Sequence, residues 1–252
     1  MEVHHPHHPT HKKKWSEYII EFIMLFTAVT LGFFAENIRE GIAEKHKKEE
    51  LLAAVVRDFK TDKIEIDRHR QMVKERIVIC DSFVKYLQMD YKNVNKIDFY
   101  RTAILYATNK DIVLNEKSRN DAEAKGYFTD IDHNDLSPTL NKYNYHINDY
   151  KVMNNGVLEY CKRFLNSYIN EVLDPSLILQ SNFLWVENNT AHDPGFNGNL
   201  DHPIDKKVVD KIIFEIWFKK ILLTGEMRSF DSLDLYANKA IAKLQTENKE
   251  EK

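Results

Sequence analysis

"YIIEFIMLFTAVTLGFFA", residues 18–35, is the longest apolar run in the chain, and its single charge, Glu21, sits near the start. Eighteen residues make about 27 Å of helix at 1.5 Å per residue, against a hydrocarbon core about 30 Å thick. Trp15 and Tyr18 stand at one end, Phe33 and Phe34 at the other, and charge begins immediately outside both. Aromatics flanked by charge mark the two interfaces of a bilayer. A core helix of a soluble protein keeps a polar face, and this run has none. It reads as a membrane span. A cut after Ala35 would put bulky Phe33 where signal peptidase needs a small residue, and no lipobox cysteine follows, so the span is expected to be an uncleaved anchor.

The remaining composition points the same way. The chain has 252 residues, 43% hydrophobic and 30% charged, with only 7 glycines and 6 prolines. So few turn-forming residues favour long helices. A net charge of −3, with no basic cluster interleaved by aromatics, excludes nucleic acid as the expected partner. The expected fold is all-α: one N-terminal transmembrane helix, then an extramembrane helical bundle with long coiled-coil-like helices. The segments are a His/Lys-rich cytoplasmic tail (1–14), the anchor (15–38), a long charged amphipathic helix (39–90), the rest of the bundle (91–247) and a charged, fraying tail (248–252). Lys12, Lys13 and Lys14 are contiguous and abut the membrane, whereas only Arg39 is as close on the other side. The positive-inside rule then places the N-terminus in the cytoplasm. Residues after about 38 fall in the periplasm of a Gram-negative cell, and the membrane is the inner one.

Beyond the span, steps of four and three pick out Leu52, Val56, Phe59, Lys63, Ile66, Arg70, Val73, Ile77, Cys80, Val84 and Leu87. This is a heptad-like seam with two polar entries, Lys63 and Arg70. A helix from Trp15 to Met89 would be about 110 Å long, with Gly41 as the place for a bend. A second seam runs through Leu140, Tyr143, Ile147, Tyr150, Asn154, Val157, Cys161, Phe164 and Tyr168, started by Ser137-Pro138 and ended by Pro175. Two shorter helices are expected between the seams, in "KIDFYRTAILYATN" and in "EKSRNDAEAK", the latter closed by Gly126. Residues 188–203, rich in Gly and Pro, read as a loop. "DKKVVDKIIFEIWFKKILL" reads as an amphipathic bundle helix with Val208, Val209, Ile212, Ile213, Ile216, Trp217, Ile221 and Leu222 towards one side. A separate last helix is expected over about 230–247.

Candidate chemistry is sparse. An ionised carboxylate in a span usually faces a bundle interior, a pore or a partner. Glu21 is therefore a candidate for handling protons or ions, or simply for interfacial helix packing. Ala28 and Gly32 form a small-xxx-small pair and Thr27 and Thr30 offer hydroxyls, which favours close contact between spans. His4, His5, His7, His8 and His11 are candidate metal ligands because imidazole binds metals readily, but no carboxylate or thiol nearby completes a set. A metal shared by His192, Asp193, Asp201 and His202 matches no known ligand spacing. Cys80 and Cys161 have neither CxxC nor zinc spacing. They read as two buried thiols, or as one disulfide if the domain lies in an oxidising compartment. Asp231-Ser232-Leu233 has the form of a short glycosylation triplet. No catalytic residues are assigned, no cofactor is called for, and an enzyme is not expected.

"FTAVTLGFFAENIRE" (26–40), with the preceding "HHPHHPTHKKKWSEYIIEF" (4–22), resembles the N-terminal signature of a family of uncharacterised single-span membrane proteins from Bacteroidota. That signature is a His-rich tail, a lysine cluster, an aromatic, a span ending Gly-Phe-Phe-Ala-Glu-Asn and a long charged helix. The stretch 115–150 is similar to a family segment in which a short helix and turn precede a Leu- and Tyr-rich helix, with Lys125-Gly126 here where the family has Ser-Gly. The resemblance implies an anchor and a phylum, and no activity. Together these readings point to a structural or interaction protein whose partners are the lipid bilayer, further copies of itself and other membrane proteins of an envelope complex. The alternative is a stator- or channel-like energy-coupling subunit that uses Glu21 in an oligomeric span.

Overall fold

The computed structural model describes residues 14–129, 136–174 and 198–250. The described residues are mainly helical, with no strand among them. The elements are α1 (Trp15–Gln88), a single 3₁₀ turn (Tyr91–Asn93), α2 (Lys96–Ala107), α3 (Lys117–Ala124), α4 (Leu136–Ser167), α5 (Ile169–Val172) and α6 (Lys206–Glu250). The chain divides into two units between Leu51 and Leu52.

The first unit holds the N-terminal part of α1. Here lies a window of 18 residues apolar enough to cross a membrane, none of it buried within the protein. No break occurs at Gly41, since α1 runs through it as helix. A side chain at Gly41 would meet nothing within 4 Å, so this glycine answers to no packing demand.

The second unit is a helical bundle. Its long members are α1 from Leu52 onward, α4 and α6. Lys63 bonds Asn238 at 2.5 Å, Arg70 pairs with Asp234 and Asp81 with Lys220, so α6 runs antiparallel to α1. It is likewise antiparallel to α4, because Ser229 reaches Asp149 at 2.6 Å and Arg163 reaches Glu215 at 3.3 Å. The α4–α6 contact is close because glycines line it. A Cβ on Gly156 would lie 2.7 Å from Leu222 Cδ1, and one on Gly225 would lie 3.0 Å from Met153 Sδ. Gly225 therefore serves packing, and α6 continues through it as one helix where two were expected.

The second seam is buried as expected from Leu140 to Phe164, but the helix stops at Ser167 and a separate turn, α5, follows. The first seam is half right. Leu52, Phe59, Ile66, Val73, Cys80 and Leu87 are buried, but the residues between them are Val55, Asp62, His69, Arg76 and Phe83, each one position before Val56, Lys63, Arg70, Ile77 and Val84. Only Val56 of the expected intermediate set is also buried. Over residues 206–223 of α6 the buried face is Val208, Ile212, Glu215, Ile216, Lys219 and Leu223, whereas Trp217 and Ile221 are exposed. On α1, Asp62 and His69 take the places expected of the polar Lys63 and Arg70, and Arg76 that of the apolar Ile77; on α6, Glu215 and Lys219 join the apolar face.

The fourth side of the bundle is covered by α2, α3 and the extended segment 108–116 between them. Asn95 caps α2 by accepting from the Asp98 amide at 3.1 Å, which satisfies one of the free donors of the first turn. α3 closes with Gly126 at φ 72°, while Tyr127 N donates to Ala122 O and Gly126 N to Glu123 O. That double bond pattern needs a left-handed residue, which glycine adopts without Cβ strain. At the α2 end the core is aromatic: Phe83 packs against Phe99, Tyr106 and Phe164 at 5.3–5.8 Å between centroids.

Candidate functional site

Asp62, His69 and Arg76 follow one another at seven-residue intervals on α1, so they form one line down the buried side of the helix. Asp62 is completely buried and saturated with donors. Its Oδ1 accepts from the Asn115 amide and from Asn115 Nδ2, both at 2.8 Å, and its Oδ2 accepts from Arg119 Nη1 at 3.1 Å and Tyr143 Oη at 3.2 Å. The Arg119 guanidinium lies over the rings of Phe59 and Tyr143, 5.1 and 4.8 Å from their centroids. Burial, with the Asp62 charge next in weight, raises the Tyr143 pKa, so this phenol stays protonated and donates.

One heptad on, His69 Nε2 lies 3.0 Å from the Lys110 carbonyl oxygen, so Nε2 carries the hydrogen. Burial lowers the His69 pKa. From α4, Tyr150 Oη donates to Asp111 Oδ1 at 2.8 Å and accepts from the Ile112 amide at 3.2 Å, and Asn154 Oδ1 accepts from Asn109 Nδ2 at 2.7 Å. The extended segment thus lacks a strand partner and a helix of its own. Its polar groups are met instead by side chains of α1 and α4, which is how a buried irregular backbone is satisfied.

The third heptad holds Arg76, facing Glu226 of α6. Glu226 is fully buried and neither of its carboxylate oxygens has a hydrogen-bond partner; the Arg76 Nη1 atom is in the same condition. Burial pushes the Glu226 carboxyl up to about 7, against a smaller opposing pull from Arg76. Burial also lowers the Arg76 pKa. Further along α6, Lys219 is 1% exposed. Its Nζ donates to the Tyr106 carbonyl, lies 3.2 Å from Cys161 Sγ and sits 4.1 Å from the Tyr106 ring centroid.

Cys80 and Cys161 are both buried and both free, so no disulfide joins them here. Burial pushes the Cys80 thiol up to about 11. The span candidates do not form one cluster. At 100° per residue, Glu21, Ala28 and Gly32 share a face of α1, Thr27 lies about a third of a turn away and Thr30 on the far side. Thr30 Oγ1 donates to the Phe26 carbonyl at 2.8 Å. The five histidines of the tail, with His192 and Asp193, lie outside the described residues. Asp201 pairs with Lys96 at 2.8 Å, and Asp231 lies within α6, 3.5 Å from Arg70. Among the described residues, no group of three or more His, Cys, Asp or Glu is placed to hold a metal ion.

An aromatic patch lies on the surface of α6. Phe214, Trp217 and Ile221 are 61%, 57% and 44% exposed on one side of α6. Phe218 backs them, with centroids 4.9 Å from Phe214 and 4.8 Å from Trp217, and stacks on Tyr160 of α4 at 6.4 Å. The Arg163 guanidinium lies 5.3 Å from the Tyr160 centroid. Trp, Tyr and Arg are the residue types that dominate interface energetics.

Sequence reading missed the buried polar line because it set the intermediate seam positions one residue late, at Lys63, Arg70 and Ile77. The signal was present as Asp62, His69 and Arg76 at a strict interval of seven. No protein-family model, no curated protein and no solved structure matches this chain.

Proposed function

We propose that this chain is a membrane-anchored interaction protein whose helical domain self-associates or docks onto a larger envelope complex. The observation that carries the proposal is exposed apolar surface of two kinds: the uncovered apolar window of α1, and the aromatic patch of Phe214, Trp217 and Ile221 on α6. A lipid bilayer suits the first, because it is continuous around the helix and long enough to span. The second is a contiguous patch on a charged surface, which suits a protein partner. The anchor lies in the inner membrane of a Bacteroidota-like cell, with the N-terminus cytoplasmic and residues after about 38 periplasmic; the three contiguous lysines ahead of the span support that orientation.

The experiment is extraction of the full chain from native membranes in mild detergent, followed by native mass measurement. The expected result is a homo-oligomer or a stoichiometric complex with other membrane proteins. A Trp217→Asp chain should dissociate from that complex while keeping its helicity. A monodisperse monomer with nothing co-purified refutes the proposal.

A further inference from the structure

Lys219 is an unusual core residue because its long cationic side chain is buried and ends on a carbonyl, an aromatic ring and a thiol. The Cys161 Sγ atom, 3.2 Å from Nζ, is itself 3% exposed, and contacts the Tyr106 and Thr108 carbonyl oxygens at 3.7 Å. Amine and thiol are therefore held in van der Waals contact by two packed helices, α6 and α4, with no rotamer search needed to bring them together. Groups held at such a distance react as if at very high local concentration.

We propose that Cys161 and Lys219 form a peroxide-triggered covalent staple between α4 and α6. In the first step the Cys161 sulfur attacks hydrogen peroxide. The O–O bond breaks, sulfur takes one oxygen as a sulfenic acid and the other leaves as water, so sulfur is oxidised and peroxide reduced. In the second step Lys219, having first passed one proton to water admitted as the bundle opens locally, attacks that sulfur through its nitrogen lone pair; the S–O bond breaks, and the hydroxyl leaves with a second nitrogen-bound proton as water. The product is a sulfenamide with an S–N bond, two hydrogens lighter than the starting pair. Thiols reverse it by attacking sulfur and releasing the amine.

Cys80 is the competing trap for the sulfenic acid. Its thiol is held at about 11 by burial, and the thiolate is the reactive form, so Cys80 is a slow competitor at neutral pH, while the Lys219 amine holds its advantage by contact, 3.2 Å from Cys161 Sγ. Peroxide is small enough to enter during local opening of the bundle, which makes the reaction slow and limited by opening.

The test is peptide mapping of the full chain in detergent micelles after treatment with hydrogen peroxide, digested without reductant. The expected result is one linked peptide pair containing Cys161 and Lys219, released by dithiothreitol, retained in Cys80→Ser and lost in Lys219→Met. Wild-type mapping decides the matter even if Lys219→Met folds poorly. A Cys80–Cys161 disulfide overturns the proposal. So does Cys161 oxidised to sulfinic acid without a link, or Cys161 unmodified in chains whose Met89 has been oxidised.

Discussion

Raising the pH from 5 to 8 should loosen the bundle through one carboxyl group, that of Glu226. Its folded pKa stands at about 7 against an ordinary 4.5, with burial as the main cause. The folded chain therefore binds this proton more tightly than the unfolded chain. The stabilisation is fully present below about 4.5 and is lost as the pH rises through 7. At about 1.4 kcal/mol per pH unit, the interval comes to about 3 kcal/mol. His69 acts in the opposite sense: burial lowers its pKa, so its contribution is present above its ordinary value of 6.5 and lost as the pH falls. The contrast that isolates Glu226 is therefore wild type against Glu226→Gln, whose amide is neutral at every pH. Urea unfolding of the full chain in detergent micelles, followed by near-ultraviolet circular dichroism of the buried tyrosines, reads the difference. The two proteins should be similar at pH 5, and at pH 8 the variant should be more stable by about 3 kcal/mol. If their midpoints change in parallel across that range, the burial argument for Glu226 is wrong.

Other perturbations address separate parts of the structure. Asp62→Ala leaves the Arg119 guanidinium buried without its carboxylate, a loss of about 3–5 kcal/mol; amide exchange over residues 108–119 should accelerate most, and an unchanged pattern there would refute the anchoring role. Gly41→Ala meets nothing within 4 Å and should strengthen its helix by about 1 kcal/mol, seen as about fivefold slower exchange of nearby amides. Gly156→Ala places a methyl 2.7 Å from Leu222 Cδ1, so a net destabilisation of about 1 kcal/mol is expected despite the better helix former, measured as a lower urea midpoint. Trp217→Asp, at a site 57% exposed, should change stability by less than about 0.5 kcal/mol while weakening self-association or partner capture in native mass measurements.

The local sequence determined a good deal of this protein. Residues 18–35 form an uninterrupted apolar helix because no polar face interrupts the run, and the seam from Leu140 to Phe164 is buried residue for residue because its apolar period matches a helix with one covered side. Gly126 closes α3 because only a left-handed residue fits there. Where apolar residues occupy both sides of a helix, periodicity lost its power. On α6, Trp217 and Ile221 are as apolar as Ile216 and Leu223, yet the former face outward. On α1, the choice between Lys63 and Asp62, or Arg70 and His69, turned on residues far along the chain: Asn115, Arg119 and Tyr143 supply donors to Asp62, and the Lys110 carbonyl supplies the acceptor for His69. Burying a charge is unfavourable unless it finds such partners, and partners brought from dozens of residues away exist only once the bundle has closed. The same holds for Gly225, which stands within a helix because α4 approaches it there, and for Lys219 and Cys161, whose contact the separation of 58 residues in sequence does not announce.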